Sequence, residues 1–205
     1  LVKDVIPADS IYGYRNKMEF SCSSKRWLLP EELADENIIK DFGIGLHVPG
    51  AFDKVIDIEQ CEIMPGFGNR ILEDVRAFIK NSHLPAYDLR THEGFWRFLM
   101  LRHSLALDNW MVNIVSSYKD TEAVLPLSEL LTEKYPSIAS IMYNITDSVS
   151  GVSTGKEEIC LHGQDHIIEQ LGNFRFKISA NSFFQTNTGA CEKLYTKVEE
   201  YAALT

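Results

Sequence analysis

The run Ser182-Phe183-Phe184-Gln185-Thr186-Asn187-Thr188 sets two adjacent aromatics before a series of amides and hydroxyls. An amide such as Gln185 both donates and accepts hydrogen bonds, which suits the edge of a nucleobase or an adenine ring, and a neighbouring phenylalanine offers a face for stacking. The same residues would also serve as core phenylalanines followed by a helix cap. A second set, Tyr14-Arg15-Asn16-Lys17 with Lys25-Arg26-Trp27, interleaves cations and aromatics. Cations contact phosphates and aromatic faces stack on unpaired bases, so this set is the best nucleic-acid candidate, with a solvated strand edge as the competing reading. Arg102-His103 ends an apolar run and either points into a cleft or is simply solvated. Cys160, His162 and His166 lie close together but lack a fourth ligand and any recognised spacing, so they read as a thiol and two surface imidazoles rather than a metal site. The sequence has no Gly-rich phosphate loop, no His-Glu-x-x-His and no Cys-x-x-Cys, so residue pattern alone does not declare an enzyme.

The elements that must position these residues follow from periodicity. Residues 14–22 alternate apolar and polar side chains, which predicts a strand with Met18 and Phe20 facing the core. The acidic stretch 30–41 reads as a loop or short helix. Residues 42–47 and 54–58 read as strands joined by a turn at Val48-Pro49-Gly50. Ile71, Val75, Phe78 and Ile79 recur at helical spacing behind Pro65-Gly66, predicting a helix over 67–80. Residues 96–103 and 110–118 form a predicted hairpin with Trp96, Phe98 and Met100 on one face, and a helix is expected from about Leu127 to Tyr135. Residues 140–145 resume strand character, 148–155 form a loop, and 166–171 and 174–179 pair around Gly172-Asn173. The last segment predicts a helix capped by Asn187 or Thr188, with Cys191, Leu194, Tyr195, Val198 and Tyr201 on one side. Sheet and helix signals alternate in groups, which favours an α+β fold with a largely antiparallel sheet.

The composition bounds the answer. The 205 residues carry 20 Lys plus Arg against 29 Asp plus Glu, a net charge of −9, with 45% hydrophobic and 24% charged residues. This is a foldable globular composition, not a disordered or fibrous one. No stretch approaches the roughly 20 apolar residues of a membrane helix, and the N-terminus lacks a signal-peptide core, so a soluble cytoplasmic protein is expected. Cys22, Cys61, Cys160 and Cys191 lie far apart, and reduced thiols are the default. Against the acidic whole, residues 1–26 hold five basic and three acidic side chains. The start at Leu1 reads as an excision point, and the end at Thr205 invites the same reading.

Four stretches taken in order, Tyr14-Arg15-Asn16-Lys17-Met18-Glu19-Phe20, Asp57-Ile58-Glu59-Gln60-Cys61, Leu101-Arg102-His103 and Ser182-Phe183-Phe184-Gln185-Thr186-Asn187, make the chain resemble the RNA (uracil-5-)-methyltransferases of the TrmA/RumA type. The resemblance implies a three-part protein, of which residues 1–180 correspond to the central domain that recognises the RNA substrate. Residues 181–205 would then begin a Rossmann-like domain that binds S-adenosyl-L-methionine. It implies addition of a cysteine thiolate to C6 of a flipped-out uridine, so that C5 becomes nucleophilic enough to take a methyl group before a Glu removes the C5 proton. The family's Ser-Cys-Asn-Pro-like nucleophile motif and its general base have no match here, and Cys22, Cys160 and Cys191 fit neither role. The chain alone is therefore expected to be inactive, with no catalytic residue of its own.

By the same resemblance Gln185, with Phe183 beside it, contacts S-adenosylmethionine. Arg15 and Lys17, backed by Arg102, touch RNA. Cys61 matches the fourth ligand of a [4Fe-4S] cluster whose other cysteines would lie upstream, and one thiolate cannot hold a cluster that needs four. The implied partner is a ribosomal or transfer RNA uridine, 23S ribosomal RNA being favoured, with no membrane and no obligate protein partner. A non-catalytic RNA-binding module with the same central fold is the alternative, and an unrelated small-ligand binder is a third.

Overall fold

The apolar residues of the first predicted strand set the direction of the whole core. In the computed structural model, which describes residues 4–203 apart from 40, 150 and 152, Met18, Phe20 and Cys22 are buried on one face of β1 (Lys17–Ser23) while Lys17 and Glu19 occupy the other. The strands β2 (Gly43–Val48), β3 (Ala51–Asp57), β4 (Trp96–Ser104), β5 (Asn109–Ser116), β6 (Ile138–Ile145) and β7 (Glu157–Gly163) join β1 in a seven-stranded sheet of order β3-β2-β1-β4-β5-β6-β7. Every pairing is antiparallel except β5 with β6. That exception follows from the helix between them, because parallel neighbours need a crossover and cannot be joined by a tight turn. The architecture is thus mixed α+β with a mostly antiparallel sheet.

Helices α1 (Gly66–Asn81) and α2 (Thr121–Lys134) cover one face of this sheet. Ile71, Leu72, Val75 and Ile79 of α1, and Val124, Leu127 and Leu131 of α2, meet Phe20, Leu99, Leu101, Val112, Ile114, Ile141 and Tyr143 in one core. The opposite face is covered only in part, by a separate two-stranded hairpin of β8 (His166–Leu171) and β9 (Phe174–Ser179). Ile167 and Ile178 of that hairpin pack with Met111, Met142 and Ala180, and Phe184 lies against them. The chain ends in α3 (Thr188–Ala202), whose N-cap Asn187 accepts a hydrogen bond from the Ala190 amide at 2.9 Å. Among the described residues no helix is long and apolar enough to cross a membrane.

The structure departs from sequence expectation in four places. Helix α2 starts at Thr121 rather than near Leu127, because Asp120 caps it through the Ala123 amide at 3.1 Å and Pro126 is accommodated inside the helix. Trp96 does not share a face with Phe98 and Met100: the ladder slips between Trp96 and Phe98, so Trp96 joins Leu99 and Leu101 in the helix-covered core. Strand β7 is an element that periodicity does not reveal, since its side chains are only partly buried at the sheet edge. Its ladder also slips by one residue, so that Cys160 pairs with Met142 and His162 with Ile141, neighbours whose side chains alternate faces. The strand turns out at Gly163, whose φ of +70° would drive a Cβ to 1.9 Å from the Ala139 carbonyl oxygen. Finally, α3 buries only Thr188 and Cys191, leaving Leu194, Tyr195, Val198 and Tyr201 exposed. The loop expected over 148–155 includes residues 150 and 152, and the readings at Leu1 and Thr205 also lie outside the described residues.

Removal of the α2 cap gives a direct check on the helix start. Asp120→Ala is expected to lower stability by about 1 kcal/mol in urea denaturation, the usual cost of an N-cap carboxylate, whereas a helix that began at Leu127 would be indifferent to it.

Candidate functional site

Asn16, at the bend leading into β1, joins the two stretches that carry the chemistry. Its backbone amide donates to the Thr186 carbonyl at 2.8 Å, and its side-chain amide donates to the Gln185 carbonyl and to the Thr188 hydroxyl, both at 2.9 Å. Its own carbonyl accepts from the His103 amide at 2.8 Å. One residue thus ties the cation-bearing segment, the end of β4 and the Phe-Phe-Gln-Thr-Asn run together. The side-chain partners lie 169 and 172 residues from Asn16 in sequence, so no local pattern announces the contact.

The result is a cleft of about 190 Å³ lined by Arg15, Lys17, Glu19, Arg102, Ser182, Phe183, Phe184 and Thr186. Lys17 and Arg102 are direct partners across the β1–β4 ladder, so their side chains rise from the same face of the sheet. Arg102 is only 3% exposed. Its guanidinium donates to the Ser182 carbonyl and, at 3.5 Å, to the Ala180 carbonyl, while Nε has no partner among the described residues. Burial pulls its pKa down to about 10, with the Glu19 carboxylate opposing, so it keeps its charge at neutral pH. Lys17 is also shifted below its ordinary value, first by burial and then by the positive charge of Arg102, against a 3.5 Å pairing with Glu19. Arg15 is braced by a 3.2 Å bond from Nε to the Lys17 carbonyl.

Three cations and one carboxylate therefore line a cleft in a protein of net charge −9. Phe183, 85% exposed, stands at its rim, and the half-buried Phe184 closes its floor toward the hairpin. Cations set beside an exposed ring can hold a phosphate while the ring stacks on a base. A second cleft of about 230 Å³ shares Arg15 as a wall and opens between Asp9, Tyr14, His103 and the first turn of α3.

Of the residues singled out by sequence, Arg15, Lys17, Arg102 and Phe183 come together. Gln185 does not line either cleft; its backbone carbonyl is taken by Asn16, and its half-buried carboxamide has no hydrogen-bond partner among the described residues. His103 stacks on Trp110 at 4.6 Å and pairs with Asp108 at 2.9 Å, away from Arg102. Sequence gives Glu19, Ser182 and Thr186 no role of their own, because their part in the cleft depends on strand pairing and on the bonds of Asn16. Cys61 lies elsewhere, 7% exposed, in a loop held by two hydrogen bonds between its backbone and the Asn69 side chain. Among the described residues no group of three or more His, Cys, Asp or Glu side chains is arranged to hold a metal ion. The side chains present therefore do not fit an iron-sulfur cluster by themselves.

Comparison with known proteins extends the motif likeness over the whole chain. No family model matches it. An uncharacterized RNA methyltransferase of Chlorobaculum tepidum is 39% identical over 207 residues, covering 100% of this chain and 43% of that protein. Another, from Porphyromonas gingivalis, is 35% identical over 216 residues, covering 100% of this chain and 45% of its own length. The crystal structure of the Pyrococcus abyssi tRNA (uracil-54, C5)-methyltransferase in complex with S-adenosyl-L-homocysteine superimposes with a TM-score of 0.71 and 26% identity, over 96% of this chain and 42% of that one. The chain spans less than half the length of the relatives it matches.

The Asn16 junction can be tested without any ligand. Asn16→Ala leaves the Gln185 carbonyl and the Thr188 hydroxyl unpaired and is expected to cost about 1–3 kcal/mol, read by urea denaturation. Faster hydrogen exchange at 185–190 should accompany it, while exchange in α1 stays slow.

Proposed function

We propose, for a chain related along its whole length to RNA methyltransferases, that it is the substrate-recognition part of an S-adenosylmethionine-dependent enzyme that makes 5-methyluridine in RNA. The observation that carries this reading is the cleft in which Arg15, Lys17 and Arg102 meet the exposed ring of Phe183. The cations neutralise backbone phosphate, and the ring accepts the face of a nucleotide drawn out of its stack. Buried Arg102 acts from beneath: its charge is fixed by two backbone carbonyls and adds to the potential felt at the cleft mouth. In this reading residues 1–180 recognise RNA and 181–205 open the cofactor domain.

When bound, S-adenosylmethionine supplies the methyl group. Gln185 and Phe183 are the residues of this chain that would hold its edge, and a half-buried carboxamide without a protein partner suits that task. The bond-making cysteine and the general base have no counterpart in this sequence, so methyl transfer is assigned to the full-length protein and not to the chain alone.

The substrate is a uridine of ribosomal or transfer RNA. The 23S ribosomal reading rests on Cys61 as a cluster ligand in the full-length protein, whereas the solved relative acts on transfer RNA by its own name. Methylation assays on both RNAs, with iron analysis of the purified full-length protein, separate the two.

In the full-length protein, replacing both Arg15 and Lys17 by Ala is expected to weaken RNA binding and to reduce its salt dependence by about one unit of log–log slope for each phosphate no longer neutralised. Gln185→Ala is expected to weaken S-adenosylmethionine binding by up to about tenfold, one hydrogen bond's worth, with RNA affinity unchanged. RNA affinity that ignores both salt and the double substitution would refute the cleft assignment, and unchanged calorimetric affinity for the cofactor would remove Gln185 from the site.

A further inference from the structure

The cation cleft contains one group that a phosphate would avoid. Glu19 lines it together with Arg15, Lys17 and Arg102. Lys17 and Glu19 are two residues apart on β1 and so share a face, and Arg102, the ladder partner of Lys17, rises from that face as well. A carboxylate among these cations lowers the positive potential that draws an anionic backbone to the cleft. For phosphate alone Glu19 is unfavourable, so its place in the wall calls for a hydrogen-bond donor on the ligand.

Glu19 has acceptor capacity to give. An ionised carboxylate offers about four acceptor positions. Its ion pair among the described residues is with Lys17, at 3.5 Å, which is long for a charge-assisted hydrogen bond and leaves most of those positions open. Its neighbour across the β1–β4 ladder is Met100, which is buried and has no N–H or O–H in its side chain. The side chain of Glu19 is 35% exposed and can be reached from the cleft. A base stacked on Phe183, at the rim of the same cleft, presents its edge to the groups around it. The edge of uracil carries a single N–H, the imide hydrogen at N3, between two carbonyl acceptors. Cytosine in the same pose would set a bare N3 lone pair against the carboxylate, which is repulsive.

We propose that Glu19 reads the base held in the cleft, its carboxylate accepting the N3–H of uracil. The assignment rests on the RNA-recognition reading above and deepens it: the cations supply affinity for the backbone, and Glu19 supplies selectivity for the imide.

The test uses the full-length protein and fluorescent single-stranded oligoribonucleotides that differ only at one central nucleoside: uridine, 3-methyluridine or 2′-deoxyuridine. The unmodified protein is expected to favour uridine over 3-methyluridine by about tenfold or more, the worth of a hydrogen bond to a charged group. Glu19→Ala should abolish that preference and bind the 3-methyluridine probe at least as tightly as the unmodified protein does, because a repelling charge has gone. A gain of this kind cannot come from a poorly folded variant. Glu19→Gln, whose side-chain oxygen still accepts, should keep part of the preference. A preference for uridine that survives Glu19→Ala overturns the proposal, since another group then reads the imide and Glu19 serves only to place Lys17. Loss in Glu19→Ala of the preference for uridine over 2′-deoxyuridine, with discrimination against 3-methyluridine intact, would assign the carboxylate to the sugar hydroxyl and likewise overturn it. If the unmodified protein binds uridine and 3-methyluridine equally and in a salt-dependent manner, Glu19 is refuted and the cleft stands. If it binds no probe, the RNA reading fails and this assignment with it.

Discussion

The hydrogen bonds of Asn16 are the constraint on which the candidate site depends. A residue just before β1 uses its amide and side chain on the stretch 185–188 and its carbonyl on the end of β4. Only an asparagine or glutamine offers two side-chain N–H donors without a charge, and the short asparagine stem keeps them close to the backbone they serve. Because Asn16 is buried, each of these bonds is made away from bulk water, where an unpaired partner is costly. The Phe-Phe-Gln-Thr-Asn run, which leaves the hairpin as irregular chain, is thereby fixed against the sheet instead of ranging over its surface.

A second anchor holds the start of the same run. Asn181 donates to the Asn144 side-chain oxygen at 3.1 Å and also to the Glu158 carboxylate, and Asn144 donates to Asn113 at 2.7 Å. This row of polar side chains crosses β5, β6 and β7 on the face that the helices leave uncovered. Between the two anchors Arg102 donates to the Ser182 and Ala180 carbonyls, so the segment from 180 to 188 is held by side chains from β4, β6, β7 and the entry to β1. Burying a guanidinium whose hydrogen bonds go to neutral carbonyls is unfavourable, and its depressed pKa records that cost. What it provides is a permanent positive charge beneath a cleft in an acidic protein.

Much of the architecture is legible in the order of residues. The alternation of Met18, Phe20 and Cys22, the helical spacing of Ile71, Val75 and Ile79, and the Gly172-Asn173 turn each carry a local signal that the folded chain obeys. The failures have local causes too. Asp120 as a cap competes with Pro126 as a breaker, and the cap wins because the helix accommodates a proline once tertiary packing of Val124 and Leu127 holds it. Strand β7 leaves little mark on the sequence because an edge strand with mixed exposure has no clean period. The slip at Trp96 is invisible in a sequence, since an extra residue in one strand leaves no compositional trace.

The sequence by itself determined the types of the elements other than β7, the mostly antiparallel α+β class, the identity of the cations and aromatics available for chemistry, and the order of motifs that likens the chain to RNA methyltransferases. These follow from residue chemistry and from periods of two and 3.6, which are short-range properties. The tertiary structure decided which of those residues meet. It set Arg15, Lys17 and Arg102 beside Phe183, kept Gln185 and His103 off the walls of that cleft, left Cys61 in a separate loop, and exposed the rings of β9. Such meetings depend on ladder register and on hydrogen bonds between residues some 170 positions apart. A one-residue change of register turns a side chain to the other face of a sheet, so no reading confined to neighbours along the chain can supply them.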